Sequence, residues 1–195
     1  MHKMLLEIPE RIEAERIYLR RYRAGDGPWY YAVSQRNRDH LARYEAGNVI
    51  MSIQSAHQAE IVVRQLAAEW VARNCFFMGA FDKETDEFVA QVYVGPVNWD
   101  VPEFAIGYFV DQDREGQGYV TAAVKATLGF IFEHLAAHRV RLECDDTNVR
   151  SRRVAERCGM VLEGHIRENK RNADGTLSGT LHFGLLKSEF DAQER

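Results

Sequence analysis

Residues 113–125 place two glycines, Gly116 and Gly118, between an apolar strand and the start of an amphipathic helix. Few folds accommodate this order. Glycine lacks a Cβ, so the loop turns tightly and its N–H groups can approach a ligand closely. The helix beginning near Tyr119 adds unpaired amides and a positive dipole end, which together suit a phosphate or pyrophosphate. The loop does not have the nucleoside-triphosphate spacing, because no Lys-Ser/Thr pair follows the second glycine. It also lies past mid-chain and stops after two glycines, unlike the dinucleotide fingerprint that opens a fold. Taken alone, Gly-x-Gly also reads as an ordinary loop.

The surrounding patterns alternate between strand and helix. Residues 16–22, 76–81, 88–94, 103–110, 139–144, 160–166 and 181–186 carry β-formers and read as strands. Residues 82–87 form a polar hairpin connection, so the second and third strands are expected to pair antiparallel. Helical spacing marks residues 55–74, with Ile61, Val62, Leu66 and Trp70 on one face. It also marks a helix from Tyr119 to near His138, with Val120, Val124, Leu128, Ile131 and Leu135 on its apolar face. One or two short helices are expected between Trp29 and Tyr44, capped by Asp26, and another over residues 148–158. Trp29, Tyr30 and Tyr31 suit core packing or a pocket wall. Residues 172–175 make a turn. The result is one domain over residues 1–195, α/β (α+β), with a mixed, mostly antiparallel sheet of about seven strands flanked by helices.

With 46% hydrophobic residues in 195, the chain has enough apolar material for a single substantial core. The net charge of −4 gives no global reason to expect nucleic acid. Cys75, Cys144 and Cys158 are odd in number and lack C-x-x-C spacing, which suggests reduced thiols and a cytoplasmic protein. No apolar run approaches membrane-span length. No His, Cys, Asp and Glu grouping has metal-ligand spacing, so no metal is expected.

The order of strand, loop from Gly116 to Thr121, long helix, strand, Asn148 with Ser151 three residues on, short helix, then Cys158-Gly159-Met160 and Glu163-Gly164 resembles the GNAT N-acetyltransferases, specifically their RimJ/RimL-type branch. The resemblance runs from residue 16 to the last strand and includes Ile106-Gly107-Tyr108. It implies acetyl-CoA as co-substrate, its pyrophosphate on the amides of Gly116, Gln117, Gly118, Tyr119, Val120 and Thr121, with Asn148 also at the coenzyme. Thr121 alternatively caps the helix locally, and Arg114 and Lys125 are either phosphate neighbours or solvated charges. Three positions depart from the family pattern, Glu115, Val120 and Ala122, and weaker loop binding is the expected consequence.

Acetyl transfer to an amine requires a neutral nitrogen, a donor for the oxyanion and support for the leaving thiolate. The family resemblance gives the oxyanion donor as the Val110 backbone N–H. Glu103, at the start of the strand leading to the loop, is a candidate base or simply a solvated strand-end carboxylate. An α-amine, with a pKa of about 7.7–8.0, needs little help from a base compared with lysine. The tyrosine that many relatives carry seven residues after the Asn is Ala155 here, so the branch points to Ser151 at the thiolate. Asn148 and Ser151 also read as a helix cap and its first turn. His165 and His182 are candidates for proton relay or surface packing. The implied reaction is acetyl transfer in a ternary complex to a protein N-terminal α-amine of ribosomal-protein type. Small amines (polyamine, amino-sugar, antibiotic) and a non-catalytic CoA-binding module are the alternatives, with the protein a monomer or homodimer and no membrane or nucleic-acid partner.

Overall fold

The computed structural model describes residues 2–172 and 174–193; Met1, Ala173 of the expected turn, Glu194 and Arg195 lie outside the described residues. The strands are Arg11–Glu13 (β1), Ile17–Arg21 (β2), Phe76–Asp82 (β3), Phe88–Asn98 (β4), Glu103–Val110 (β5), Arg139–Asp145 (β6), Val161–Arg171 (β7) and Leu177–Leu186 (β8). They form one mixed sheet in the order β1-β2-β3-β4-β5-β6-β8-β7, in which the β5–β6 pair is parallel. Among the described residues there are eight strands rather than about seven. The additional one, β1, is a three-residue edge segment held by its pairing with β2.

Helices lie on both faces. Tyr119–His134 (α3) and Val149–Arg157 (α4) cover one side, over a core including Val92, Phe104, Val124 and Val140. Gly27–Leu41 (α1) and Ala56–Ala72 (α2) cover the other, around Tyr22, Tyr30, Val63 and Phe81. Lys187–Gln193 (α5) follows β8. Burial on both faces explains why β3 and most of β4 are almost continuously apolar.

The region expected as one or two short helices is a single one, α1, started by Pro28 within its first turn. Asp26 precedes it without capping it, because the carboxylate is taken up by Arg20, the Arg23 amide and the Trp29 indole. Tyr30 is fully buried and Trp29 packs on Tyr22 and Phe88, which assigns these aromatics to the core. Ser55 caps α2 by accepting from the Gln58 amide, and Arg73, in the left-handed region at φ 58°, ends it. The helix α3 stops at His134, short of His138, where Leu135 takes the C-cap and Ala136 turns left-handed at φ 53°. Strands β7 and β8 both extend beyond their apolar segments into a hairpin.

Candidate active site

The decisive feature is a gap in the sheet. The strands β5 and β6 pair only from Glu103–Arg139 to Ile106–Leu142 and then diverge. On its other side β5 continues to pair with β4 as far as Val110–Ala90. The Asp111 amide donates to the Val89 carbonyl at 2.9 Å, toward β4. Because successive N–H groups on a strand point to opposite sides, those of Val110 and Tyr108 point into the gap. The gap thus offers main-chain hydrogen-bonding groups with no strand partner.

The glycine loop lies at its mouth. Gly116 and Gly118 have φ of 73° and 82°, a region that disfavours side chains, and a Cβ built on either meets no atom within 4 Å. Gly118 is the N-cap of α3 and offers no side chain to cap it. Among the described residues, no backbone N–H from Gly116 to Thr121 donates to a backbone acceptor outside the helix itself; the first such donor is Ala122, to Gly118. Open space, free amides and a helix N-terminus therefore coincide, a cradle that fits a pyrophosphate. The Tyr119 side chain points elsewhere: it is buried, hydrogen-bonds Asp82 and lies under the Arg16 guanidinium. Gln117 is tied back through its side chain to the Asp113 carbonyl, and its own carbonyl accepts from Arg16. The loop is fastened to α1 where Arg36 grips buried Asp111 and Asn37 accepts from the Gln112 amide.

A cleft of 530 Å³ runs from this loop along the gap, lined by Val110, Val120, Asn148, Ser151 and Tyr108 among others. Asn148 caps α4 by accepting from the Ser151 amide at 3.1 Å while facing the cleft. The Ser151 hydroxyl lies 3.0 Å from the Tyr108 hydroxyl. Burial holds the Tyr108 phenol well above its ordinary value, so it remains a neutral donor. The sequence places Tyr108 in a strand and in the Ile106-Gly107-Tyr108 motif without giving its hydroxyl a role. Its phenol comes from β5 to the side of α4 where Ala155 supplies none.

Several expected residues are placed differently. Glu103 sits at the far end of β5 from Val110 and is ion-paired with Arg139 at 3.2 Å, so it does not line the cleft. The strand thus places Glu103 at the end of β5 that is paired with β6 rather than at the gap. His165 pairs with Asp146 and His182 with Glu143, and neither lines the cleft. Arg114 is paired with Glu87, and Lys125 is exposed. The Thr121 hydroxyl supplies no helix cap. Glu115, at the cleft mouth, is bound by Arg150 of α4 and lies 3.5 Å from His40 of α1. Among the described residues, no group of His, Cys, Asp and Glu could hold a metal ion, and no helix is long and apolar enough to cross a membrane.

One carboxylate escaped the sequence reading. Glu45, in the turn after α1, borders the cleft, a 580 Å³ cavity beneath Phe77, Tyr93 and Tyr108, and a polar recess of 340 Å³ beside β6. Its carboxyl is raised by burial, against a hydrogen bond from Asn48 and the charge of Lys170.

A family model described as an acetyltransferase (GNAT) domain matches residues 16–161. Over 89 residues the chain is 33% identical to the putative ribosomal N-acetyltransferase YdaF of Bacillus subtilis, covering 46% of this chain and 48% of that protein. Over 84 residues it is 32% identical to the ribosomal-protein-serine acetyltransferase of Escherichia coli, covering 43% and 47% respectively. The chain thus spans about half the length of these curated relatives. Among solved structures, Mycobacterium smegmatis RimJ in complex with CoA-disulfide superposes with a TM-score of 0.80 at 22% identity, covering 100% of this chain and 98% of that one. The ribosomal-protein-S5-alanine acetyltransferase of Vibrio fischeri gives 0.79 at 20% identity, covering 92% and 98%. These structures share the fold. With a glycine cradle at a helix N-terminus, a split between two parallel strands and a family match over most of its length, the chain belongs to the GNAT acetyltransferase family.

Proposed function

We propose that the protein is an acetyl-CoA-dependent N-acetyltransferase acting on a primary amine, the N-terminal α-amine of a protein of ribosomal type, in a ternary complex. The observation that carries this reading is the gap between β5 and β6, with the Val110 N–H pointing into it beside a loop of free amides. The coenzyme brings the activated acetyl group; the chain's residues bind and polarise it. Amides from Gly116 to Thr121 hold the pyrophosphate, and the unpaired edge of β5 holds the amide-bearing arm by strand-like hydrogen bonds. The Val110 N–H stabilises negative charge developing on the thioester oxygen, a contribution of about 3 kcal/mol in comparable acyl transfer. The Ser151 hydroxyl, held by Tyr108, hydrogen-bonds the sulfur as it leaves. The protein acceptor is supported by the 580 Å³ cavity reaching the exposed residues Tyr44 and Gly47, which leaves room for a chain to continue outward.

The test is calorimetric titration with acetyl-CoA, followed by mass spectrometry of acetyl transfer to peptides with free and blocked N-termini and to small amines. Wild type is expected to bind acetyl-CoA at micromolar concentration, and Gly118→Val to lose at least tenfold in affinity. A valine at φ 82° is strained, and its side chain occupies the space left for the phosphates. Unchanged affinity in the variant refutes the loop assignment. Transfer to small amines but to no free peptide N-terminus refutes the acceptor class.

A further inference from the structure

Three other carboxylates line the cleft (Glu115) or the polar recess that adjoins it at Glu45 (Glu143 and Asp145), and each is already engaged. Glu115 is bound by Arg150, Asp145 accepts from Ser178 and Thr147 at 2.6 Å each, and Glu143 lies 3.5 Å from His182. Glu45 is left with a side-chain hydrogen bond from Asn48. It also stands where the cavities meet: it shares the cleft with Ser151 and Val110, and the 580 Å³ cavity with Phe77, Tyr93 and Tyr108.

We propose that Glu45 receives the ammonium group of the acceptor, which enters through the cavity of Phe77, Tyr93 and Tyr108, and takes its proton before acetyl transfer. This rests on the acetyltransferase reading and names the acceptor's chemistry: a primary ammonium on an uncharged, apolar or aromatic first unit. The aromatic walls give such a unit apolar and cation–π contacts, and Glu45 gives its nitrogen a charged hydrogen-bond acceptor. The proton passes from the ammonium to the carboxylate, and the freed lone pair forms the C–N bond at the thioester carbonyl. The C–S bond then breaks with its electrons on sulfur. The second nitrogen proton ends on sulfur, and Glu45 returns the first to water.

The ionisable groups facing Glu45 are consistent with this. Tyr93 of β4, Tyr108 of β5 and Cys144 of β6 are all raised by burial and stay neutral. Asp145 is lowered, its hydrogen bonds outweighing burial, and holds its charge on Ser178 and Thr147. Glu143 lies beside His182, and His40 beside Glu115. The cations are Arg43 from Glu45's own loop and Lys170 and Arg171 from β7; Tyr44 directs its hydroxyl to Thr147.

The experiment measures acetyl transfer to a free-N-terminus peptide panel by wild type, Glu45→Gln and Glu45→Asp, together with acetyl-CoA affinity. Glu45→Gln is expected to lower kcat/KM about tenfold or more at pH 7, where only about a tenth of an α-amine is neutral without a base, with acetyl-CoA affinity unchanged. Glu45→Asp is expected to retain part of the activity. In wild type, kcat/KM falls toward acid as Glu45 takes up a proton, and in Glu45→Gln that limb is replaced by one set by protonation of the acceptor amine itself, at about pH 7.7–8.0. Peptides beginning with an apolar residue are expected to outcompete those beginning with Asp or Glu. Wild-type transfer that Glu45→Gln leaves within threefold overturns the role of Glu45 and spares the acetyltransferase reading. A wild type that binds acetyl-CoA and acetylates no amine overturns both.

Discussion

Glu115 brings a carboxylate to the loop proposed to hold an anionic pyrophosphate. It stands at the mouth of the cleft, bound by Arg150 and near His40. Repulsion between that carboxylate and the phosphates costs affinity, and the ion pair occupies a guanidinium otherwise available to phosphate. Replacing Glu115 with Gln should therefore tighten acetyl-CoA binding, by about fivefold if the pair and the repulsion together amount to the roughly 1 kcal/mol typical of exposed charges. Titration calorimetry at low salt reads this directly, and unchanged or weaker binding counts against it. The loop itself was legible in the sequence because glycine at these two positions has a specific backbone use. Glu45 was not. A lone glutamate in a turn carries no pattern, and the cleft it lines with Ser151 and Tyr108 exists only once the chain has folded across the sheet.

Among the elements, the long helices and central strands followed from periodicity: α2 and α3 repeat apolar residues at helical spacing, and β3 and β4 are continuous apolar runs buried on both faces. The missed pieces had no apolar signal to give. The strand β1 is three residues with both ends exposed, and the continuation of β7 past Ile166 to Arg171 is wholly exposed, so tertiary pairing rather than side-chain burial defines them. For Glu103, a strand's direction from its first residue to the loop is plain in sequence, whereas the splitting of β5 from β6 beyond Ile106, which leaves Glu103 at the paired end, is not. The link between α1 and the glycine loop also emerged only in three dimensions. Asp111 is 1% exposed and depends on Arg36, whose side chain is 37% exposed. Arg36→Ala should lower stability by about 2 kcal/mol, less than a fully buried pair because water partly screens the arginine. It should also weaken acetyl-CoA binding as the loop loses its anchor. Denaturant unfolding and calorimetry on the same variant measure both; full stability would mean that Asp111 finds another partner.

Over the whole molecule, the sheet consists of two parts, β1–β5 and β6–β8, joined by four residue pairs from Glu103–Arg139 to Ile106–Leu142. A ligand lying in the gap bridges those parts and binds the folded state only. At 100 times its dissociation constant, acetyl-CoA should add about 2.7 kcal/mol to stability, raising Tm by roughly 5–10 °C for a chain of this size. Thermal unfolding with and without acetyl-CoA tests this, and hydrogen exchange should slow along residues 107–110. A Tm that does not move would place the ligand elsewhere.

In the proposed reaction Val110 acts through its N–H, which faces the gap, and not through its isopropyl group. Every amino acid except proline carries that same group, so a survey that exchanges side chains one by one would find position 110 forgiving and leave the proposed role of its N–H untouched. The informative edit lies in the main chain itself, one nitrogen exchanged for oxygen at residue 110, which removes the donor and leaves the side chain as it was.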